Sequence, residues 1–412
     1  MPLGTVDSAS YEPALKQLWP QDKLDLIFYR EHAFAALMSK ADDFVGDPGK
    51  LHNVVSYAPP QGGGSFTEAL ANQSTGREAD FIVSRKSNYQ IVTIDNQSAM
   101  AAARRKGAVV PLLQKKHKDS LDNLSRNHAL WLWLNEGGSR GRIGSQAGAV
   151  ITLTSPADAS RFEVDMQIRA SLNDGSDAGH VLRADTALIT KINRATGEIT
   201  VDAIPGSWTN NDYLFRNGDF GGGYTGIPAW LPTDRSTLST PFLTIDRSQD
   251  AERLAGSFVE GNGGSRLETV KSLAKDVRTL GGGRPDYCFV HPDDFYFMEL
   301  EMENTVSRRE DIKVAPSGRR GATIGFSGLM VQSGNSKIMV LEDINCPLGT
   351  GYVLQRDTWK FHHLGGLPHR ATEGMGAGGG RAEATADAVQ WRWRIFGNLV
   401  CLEPGKNGVC VF

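Results

Sequence analysis

Four cysteines are all the chain carries in 412 residues, Cys288, Cys346, Cys401 and Cys410, and no two of them stand as C-x-x-C. A chain of this length buries a core without covalent staples, so reduced, buried thiols are expected and a disulfide framework is excluded. Long apolar runs are missing too. Nothing approaches the roughly 18 uninterrupted apolar residues of a membrane-spanning helix. The opening MPLGTVDSASYEPALKQLW has no basic stretch followed by an apolar one, the pattern of an export signal. Positive charge is not in excess either: 44 Lys and Arg stand against 47 Asp and Glu, a formal net charge of −3. That argues against gripping nucleic acid through its phosphates and leaves only loose contact with it. No unit of about 20 to 50 residues repeats.

What is present reads as a soluble chain of two or three domains. In QDKLDLIFYREHAFAALM, Leu24, Ile27, Phe28, Phe34 and Met38 fall near helical spacing, predicting one amphipathic helix with a single buried stripe. NVVSYAPP and FIVSRKSNYQIVTID read as two extended arms around a loose polar tip, QGGGSFTEALANQSTG. A two-stranded hairpin is marginal alone, so this one must rest on something. Residues 97–136 predict the longest helix, a rod on the order of 60 Å. Leu113, Leu121, Leu124, Trp131 and Leu132 line its stripe, with KKHKD and NLSRN facing water. Pro111 should kink or break it near Val110, and Gly137-Gly138 should stop it.

AVITLT, VDMQIRASL, DTALITKIN and GEITVD then alternate between turns, predicting a small β-barrel or sandwich bracketed by glycine-rich stretches. A mixed α/β region follows. Ser265-Arg266-Leu267-Glu268 is a capping box opening a helix through Leu267, Val270, Ala274 and Val277, which Gly281-Gly282-Gly283 ends. Tyr287 to Val290 reads as a strand, and Pro292 starts another helix. The end is strand-like. AVQWRWRIFGNLVCLEP sets Val389, Trp391, Trp393 and Ile395 against Gln390, Arg392 and Arg394.

Catalytic patterns fail on context. Gly374, Gly376 and Gly379 spell G-x-G-x-x-G, but the dinucleotide fingerprint needs a preceding strand and a following helix, and this run connects two strands. Ser139 completes G-x-S-x-G, yet it follows a long helix and enters a β region, the reverse of a nucleophile elbow. His362 and His363 are adjacent on a strand and point to opposite faces, so with His369 and Glu373 they do not converge on one ion. His291-Pro292-Asp293-Asp294 is explained by a helix start, where carboxylates favour the dipole. No catalytic residue, cofactor site or metal site is assigned, and the chain is read as a non-enzyme.

The order of parts carries a resemblance. REHAFAALMSK leading into GKLHNVVSYAPP, the helix at 97–136, IPAWLPTDRSTLSTPFLTIDRSQDAERLAG with RPDYCFVHPDDF, and the closing AVQWRWRIFGNLVCLEP together resemble the major capsid proteins of tailed bacteriophages. The fold implied is α+β, the Hong Kong 97 type, with an inserted small all-β domain. The divisions implied are an N-terminal arm at 1–50, an extended-loop hairpin at 51–96 and a peripheral domain with spine helix at 97–141. They continue with the insertion at 142–222, an axial domain at 223–345 and closing peripheral strands at 346–412. The resemblance further implies hexamers and pentamers tiling an icosahedral head around double-stranded DNA, touched without base reading. It places assembly in a bacterial host, with no membrane and with separate scaffolding, portal or decoration proteins as partners.

On that reading the hairpin tip lies on a neighbouring subunit through Gly62, Gly63, Gly64, Phe66 and Leu70. Phe28 and Phe34 also face neighbours, and Gly374, Gly376 and Gly379 let backbones approach closely at a local three-fold axis. Two departures from some relatives stand out. Barely 20 residues precede the first helix, which argues against a fused scaffold. The tip from Gln61 to Gly76 has no lysine, and Lys86 lies on the returning arm, which argues against covalent cross-linking. An encapsulin-type compartment is the alternative within the fold. A ligand-binding protein or enzyme using Trp208, Tyr213 and Phe215 as an aromatic platform is the alternative outside it.

Overall fold

The structure is a computed structural model that describes residues 32–44, 49–95, 109–176, 181–303, 309–314, 324–334, 336–370, 381–382 and 387–412. The chain enters at His32 and makes one helical turn, α1 (Ala33–Leu37), all five residues of which are buried. Here the expected single stripe is replaced by burial all round. The reason is Phe34, which meets Trp133, Phe289 and Trp359, rings from three separate parts of the chain. After α1 comes a short strand, β1 (Ser39–Asp42).

Strands β2 (Lys50–Ala58) and β3 (Arg77–Ser84) pair antiparallel. Their inward side chains Val55, Ala79, Phe81 and Val83 are buried, with Phe81 against Trp230 and Phe242. Thus the base of the hairpin rests on its own subunit. FIVSRKSNYQIVTID is not one strand. It breaks at Arg85, whose N–H bonds the Gly49 carbonyl at 2.8 Å, and β4 (Lys86–Asp95) departs to another sheet. At the hairpin's far end the tip is not loose, because it holds a short helix, α2 (Phe66–Ala71).

The described part of the long helix is α3 (Val109–Leu132), 24 residues and so roughly 36 Å long. Residues 96–108 lie outside the described residues. Pro111 stands in the first turn of α3, where its missing N–H costs no intrahelical bond. The helix ends before Gly137. Trp133 and Leu134 donate three residues back, to Leu130 and Trp131, and Asn135 then bridges to Thr225. Gly226 is the stop: a Cβ there would sit 2.6 Å from the Leu132 carbonyl and 2.2 Å from that of Leu134. Crossing backbone therefore butts the helix end, which no local signal announces.

The face of α3 that packs on the body is mixed. Leu121, Leu124, Trp131 and Leu132 are buried as expected, but so are His117, Ser125, Asn127 and His128, from KKHKD, NLSRN and the residue after it. His128 is fully buried, its Nδ1 3.3 Å from the Tyr224 hydroxyl and its ring edge-on to Tyr224 and Phe361. Burial holds its pKa well below the ordinary histidine value, and the charges of Lys40, His32 and His363 push the same way. The unfolded chain then binds a proton below about pH 6.5 that the folded chain refuses. Stability from this group is complete above that pH and is lost as pH falls below it. Asp343, whose carboxyl burial pushes upward, works in the opposite sense at lower pH. A denaturant series at pH 7, 6 and 5 should show stability dropping by up to about 1.4 kcal/mol per pH unit. The drop should shrink in His128→Gln; an equal drop in the variant would remove His128 as its source.

Six strands close a barrel: β5 (Gly141–Ala147), β6 (Val150–Leu153), β7 (Gln167–Ser171), β8 (Ala187–Asn193), β9 (Glu198–Val201) and β10 (Tyr213–Arg216). Their order around it is β10-β5-β6-β9-β8-β7. Ile143, Ile151, Ile168, Ile189, Ile199 and Leu214 fill it, giving the barrel a core of its own. A polar neck joins it to α3. Asp219 accepts from Arg140 at 2.9 Å and from Arg216 at 2.7 Å, and Arg140 also donates to Asn127 of α3 at 2.7 Å. Gly137 and Gly138 belong to this neck, where Cβ atoms would strike the carbonyls of Asp174 and Asp219.

Beyond the barrel come β11 (Ser257–Glu260), the helix α4 (Arg266–Thr279), β12 (Tyr287–Val290) and the helix α5 (Pro292–Glu303). Four strands continue: β13 (Arg309–Val314), β14 (Ile324–Ser333), β15 (Ser336–Glu342) and β16 (Thr350–Leu354). Ser265 accepts from the Glu268 N–H, but the return half of the capping box is absent. In its place Glu301 of α5 accepts from the Ser265 hydroxyl and from the N–H groups of Arg266 and Leu267. The cap is a tertiary contact, and it locks α4 to α5.

The closing strands are β17 (Trp359–His363), β18 (His369–Arg370), β19 (Arg381–Ala382), β20 (Ala388–Cys401) and β21 (Gly408–Val411). In one sheet β20 pairs with β4, β17, β18 and β19, and β1 joins β17 in parallel. Trp391, Trp393 and Ile395 of β20 are buried against α3 and β4, the alternation that the sequence predicts. The second sheet runs β11-β21-β16-β12-β15-β14-β13. This crosses the boundary expected at residue 345, since β16 and β21 lie beyond it in the chain yet share a sheet with β11 to β15. Parallel pairing of β21 with β11 ties the chain's last residues to Ser257–Glu260.

Candidate assembly surfaces

The tip of the β2–β3 hairpin is a built structure whose residues are almost all exposed. Ser65 and Glu68 form a reciprocal capping box at the start of α2. Gln61 and Ser74 close its neck with bonds of 3.0 Å in both directions. Gly64 has φ of +95°, and a Cβ there would meet the Glu68 carboxylate at 2.6 Å, so glycine is required at the entry to the helix. The neighbouring Gly63 faces open space, and Gly62 makes only ordinary contact. Phe66 is 84% exposed and Leu70 60% exposed, one helical turn apart on the same side of α2. The capped helix thus holds two large apolar side chains outward, side by side.

A second surface lies at the hairpin's base. Val54, Leu280 and Leu402 are exposed apolar residues that line a groove of about 640 Å³, with Arg253 and Lys406 at its rim. Arg253 reaches across to the Tyr57 carbonyl, and Lys406 pairs with Glu403 at 2.6 Å.

The remaining sequence candidates fall elsewhere. Phe34 is 3% exposed in the subunit's own core, which corrects its expected place at a subunit contact. Phe28 and the glycines Gly374, Gly376 and Gly379 lie outside the described residues. The aromatic platform does not form: Trp208 is buried in the barrel core, Phe215 packs on Phe220, and Tyr213 lies under Arg142. The Ser139 hydroxyl is spent on the Gly141 carbonyl. His362 meets Asp43 at 2.6 Å, while His363 meets the Gly365 carbonyl at 2.6 Å. The two histidines are engaged with different partners.

One signal in the sequence could have located the tip helix. Ser65-Phe66-Thr67-Glu68 has the S-x-x-E spacing of a capping box, ahead of an apolar pair at Phe66 and Leu70. The glycine run before it makes the whole stretch look irregular.

No family model matches the chain, and no curated protein matches it. Solved structures do. The chain is similar to one in the capsid asymmetric unit of cyanophage A-1(L), with a TM-score of 0.51 and 12% identity over 91% of each chain. The fold is that of a phage capsid protein, of the Hong Kong 97 type. A Mycobacterium phage Adephagia structure is also similar, at TM-score 0.42 and 9% identity over 93% of this chain and 90% of that one. So is the holo-SrpI encapsulin complex from Synechococcus elongatus, at 0.41 and 8% over 91% and 85%.

Proposed function

We propose that the chain is the shell subunit of a tailed double-stranded DNA bacteriophage head, assembling as hexamers and pentamers and having no catalytic role. The observation that carries this reading is the extended-loop tip, a capped helix that turns Phe66 and Leu70 away from its own subunit. A monomer gains nothing from that arrangement, whereas a shell in which each tip lies on a neighbour buries both side chains. Burying a Phe and a Leu is worth roughly 1.5–3 kcal/mol each, about 3–6 kcal/mol per tip before the cost of ordering. The phage capsid fold supports the same reading. With a near-balanced charge, the inner face meets DNA without specific grip.

Light scattering of the purified full chain, followed by electron microscopy of its heaviest fraction, tests the proposal. Closed shells, or hexamers and pentamers, are the expected result, with nucleic acid as the cargo in infected cells. A co-purifying enzyme inside the shells would turn the assignment to an encapsulin. A chain that stays monomeric when co-expressed with a phage's scaffolding and portal proteins would overturn it.

A further inference from the structure

The helix α5 is apolar on every side. Phe295, Met298 and Met302 pack inward, while Tyr296, Phe297 and Leu300 face outward, 57%, 47% and 41% exposed. A helix apolar all round belongs in an interior, so the outer face calls for a cover. The charge on that face is acidic. Asp293 is exposed, 3.4 Å from His291, a ring whose burial lowers its pKa, and Glu299 is half-buried one turn further on. The cation present, Arg266, lies 4.5 Å over the Phe297 ring and is paired with Asp294 at 3.1 Å. The neighbouring helix α4 has the opposite character. Lys271, Lys275 and Arg278 stand at i, i+4 and i+7 along its exposed side, and Leu280 is exposed just past its end. Two carboxylates lie beside them, Glu268 and Asp276, the latter 3.1 Å from Lys275, and Arg278 donates to the Ser333 carbonyl. The side keeps an excess of positive charge, carried on long apolar stems that can cover a ring.

We propose that the outer face of α5 in one copy of the chain is covered by the basic side of α4 in the next. The inference deepens the shell reading above and rests on it. Like faces do not suit one another: α5 on α5 would set Asp293 and Glu299 against their own copies, and α4 on α4 would do the same with three cations. Unlike faces attract, and the ring faces of Tyr296 and Phe297 suit Lys and Arg. Because the two faces differ, the contact runs head to tail, the kind that closes into a ring. Each chain carries one face of each kind, so a closed hexamer or pentamer leaves neither uncovered.

Cysteine cross-linking between copies tests it. Full-length K271C or K275C, carrying a size tag, is mixed with untagged Y296C or L300C and assembled with a phage's scaffolding protein. All four positions are exposed, so cysteine at any of them leaves the fold intact. The four native thiols are buried, and burial pushes the pKa of each upward, which keeps them unreactive. Under mild oxidation a dimer of one tagged and one untagged chain should form in at least one of the four mixtures, seen on a non-reducing gel. Thiols that stay free in all four, in shells that have formed, would overturn this contact and leave the shell reading standing. So would dimers of two Y296C chains alone, which would set α5 against its own copy. A chain that never assembles would overturn both readings. In a second measurement, K271E/K275E should raise the concentration needed for assembly by roughly fivefold for each charge pair lost at low salt, a difference that fades in about 1 M salt. An unchanged requirement would count equally against the contact.

Discussion

Replacing Phe66 and Leu70 together with aspartate should leave a folded subunit that no longer closes into shells. Both side chains project into solvent from α2, so the substitution removes nothing from the subunit's own core. Surface changes of this kind alter stability by no more than about 0.5 kcal/mol, and the melting temperature should be that of the parent. The effect on association is of another order. Each tip loses roughly 3–6 kcal/mol of burial, and two carboxylates would have to be desolvated against a neighbour. At about 1.4 kcal/mol per factor of ten, even the lower figure weakens each contact by more than a hundredfold. Because every subunit in a closed shell repeats the contact, the concentration needed for assembly should rise beyond practical reach. Phe66→Leu, which keeps the apolar surface, should still assemble. Normal shells from the double aspartate variant, at the parent's protein concentration, would show that the tip does not hold neighbours.

Which parts of this fold were legible in the sequence follows from how local each signal is. β20 declares itself because Trp391, Trp393 and Ile395 alternate with Arg392 and Arg394 along one strand. α4 does so because Val270, Ala274 and Val277 repeat at helical spacing, and the barrel strands because each alternates between clear turns. Partners are another matter. Nothing near Gly408–Val411 says that β21 pairs with Ser257–Glu260, and nothing near Ser39 says that β1 pairs with β17. Such pairings are settled by which apolar faces remain after every other element has packed.

The assembly surface shows the same division. That Phe34 and Phe66 are large and apolar is plain in the sequence, but only the packed structure separates them. Phe34 meets three rings of its own subunit, while Phe66 stands 84% exposed. The hairpin is equally instructive. Its need for support was evident from its length, yet that support is divided. The base is held by Trp230 and Phe242 within the subunit, and the tip, in the shell proposed above, falls to a neighbour. Glu301 at the start of α4 is a cap that sequence spacing cannot supply, since it comes from 35 residues away.

Asp219→Ala should destabilise the chain by about 3–5 kcal/mol, the cost of removing one partner from a buried ion pair. Asp219 and Arg140 are each only 4% exposed, and the carboxylate accepts from both Arg140 and Arg216. Arg216 is 22% exposed and can turn toward water once the carboxylate is gone. Arg140 cannot. Burial already draws its pKa below the usual arginine value, with Asp219 opposing that shift, yet a guanidinium does not neutralise itself in a protein. The variant therefore keeps a buried charge with only Asn127 and the Arg161 carbonyl to hold it. Removing both charges is a different experiment. In Arg140→Met with Asp219→Leu no charge is stranded, and the loss should be about one hydrogen bond to Asn127 and one to Arg161, near 1–3 kcal/mol in all. Denaturant unfolding of the two variants would compare these costs directly. If the double variant proved less stable than Asp219→Ala, the stranded charge would not be the cause, and the neck would owe its strength to the bonds that Arg140 makes to α3 and to Arg161.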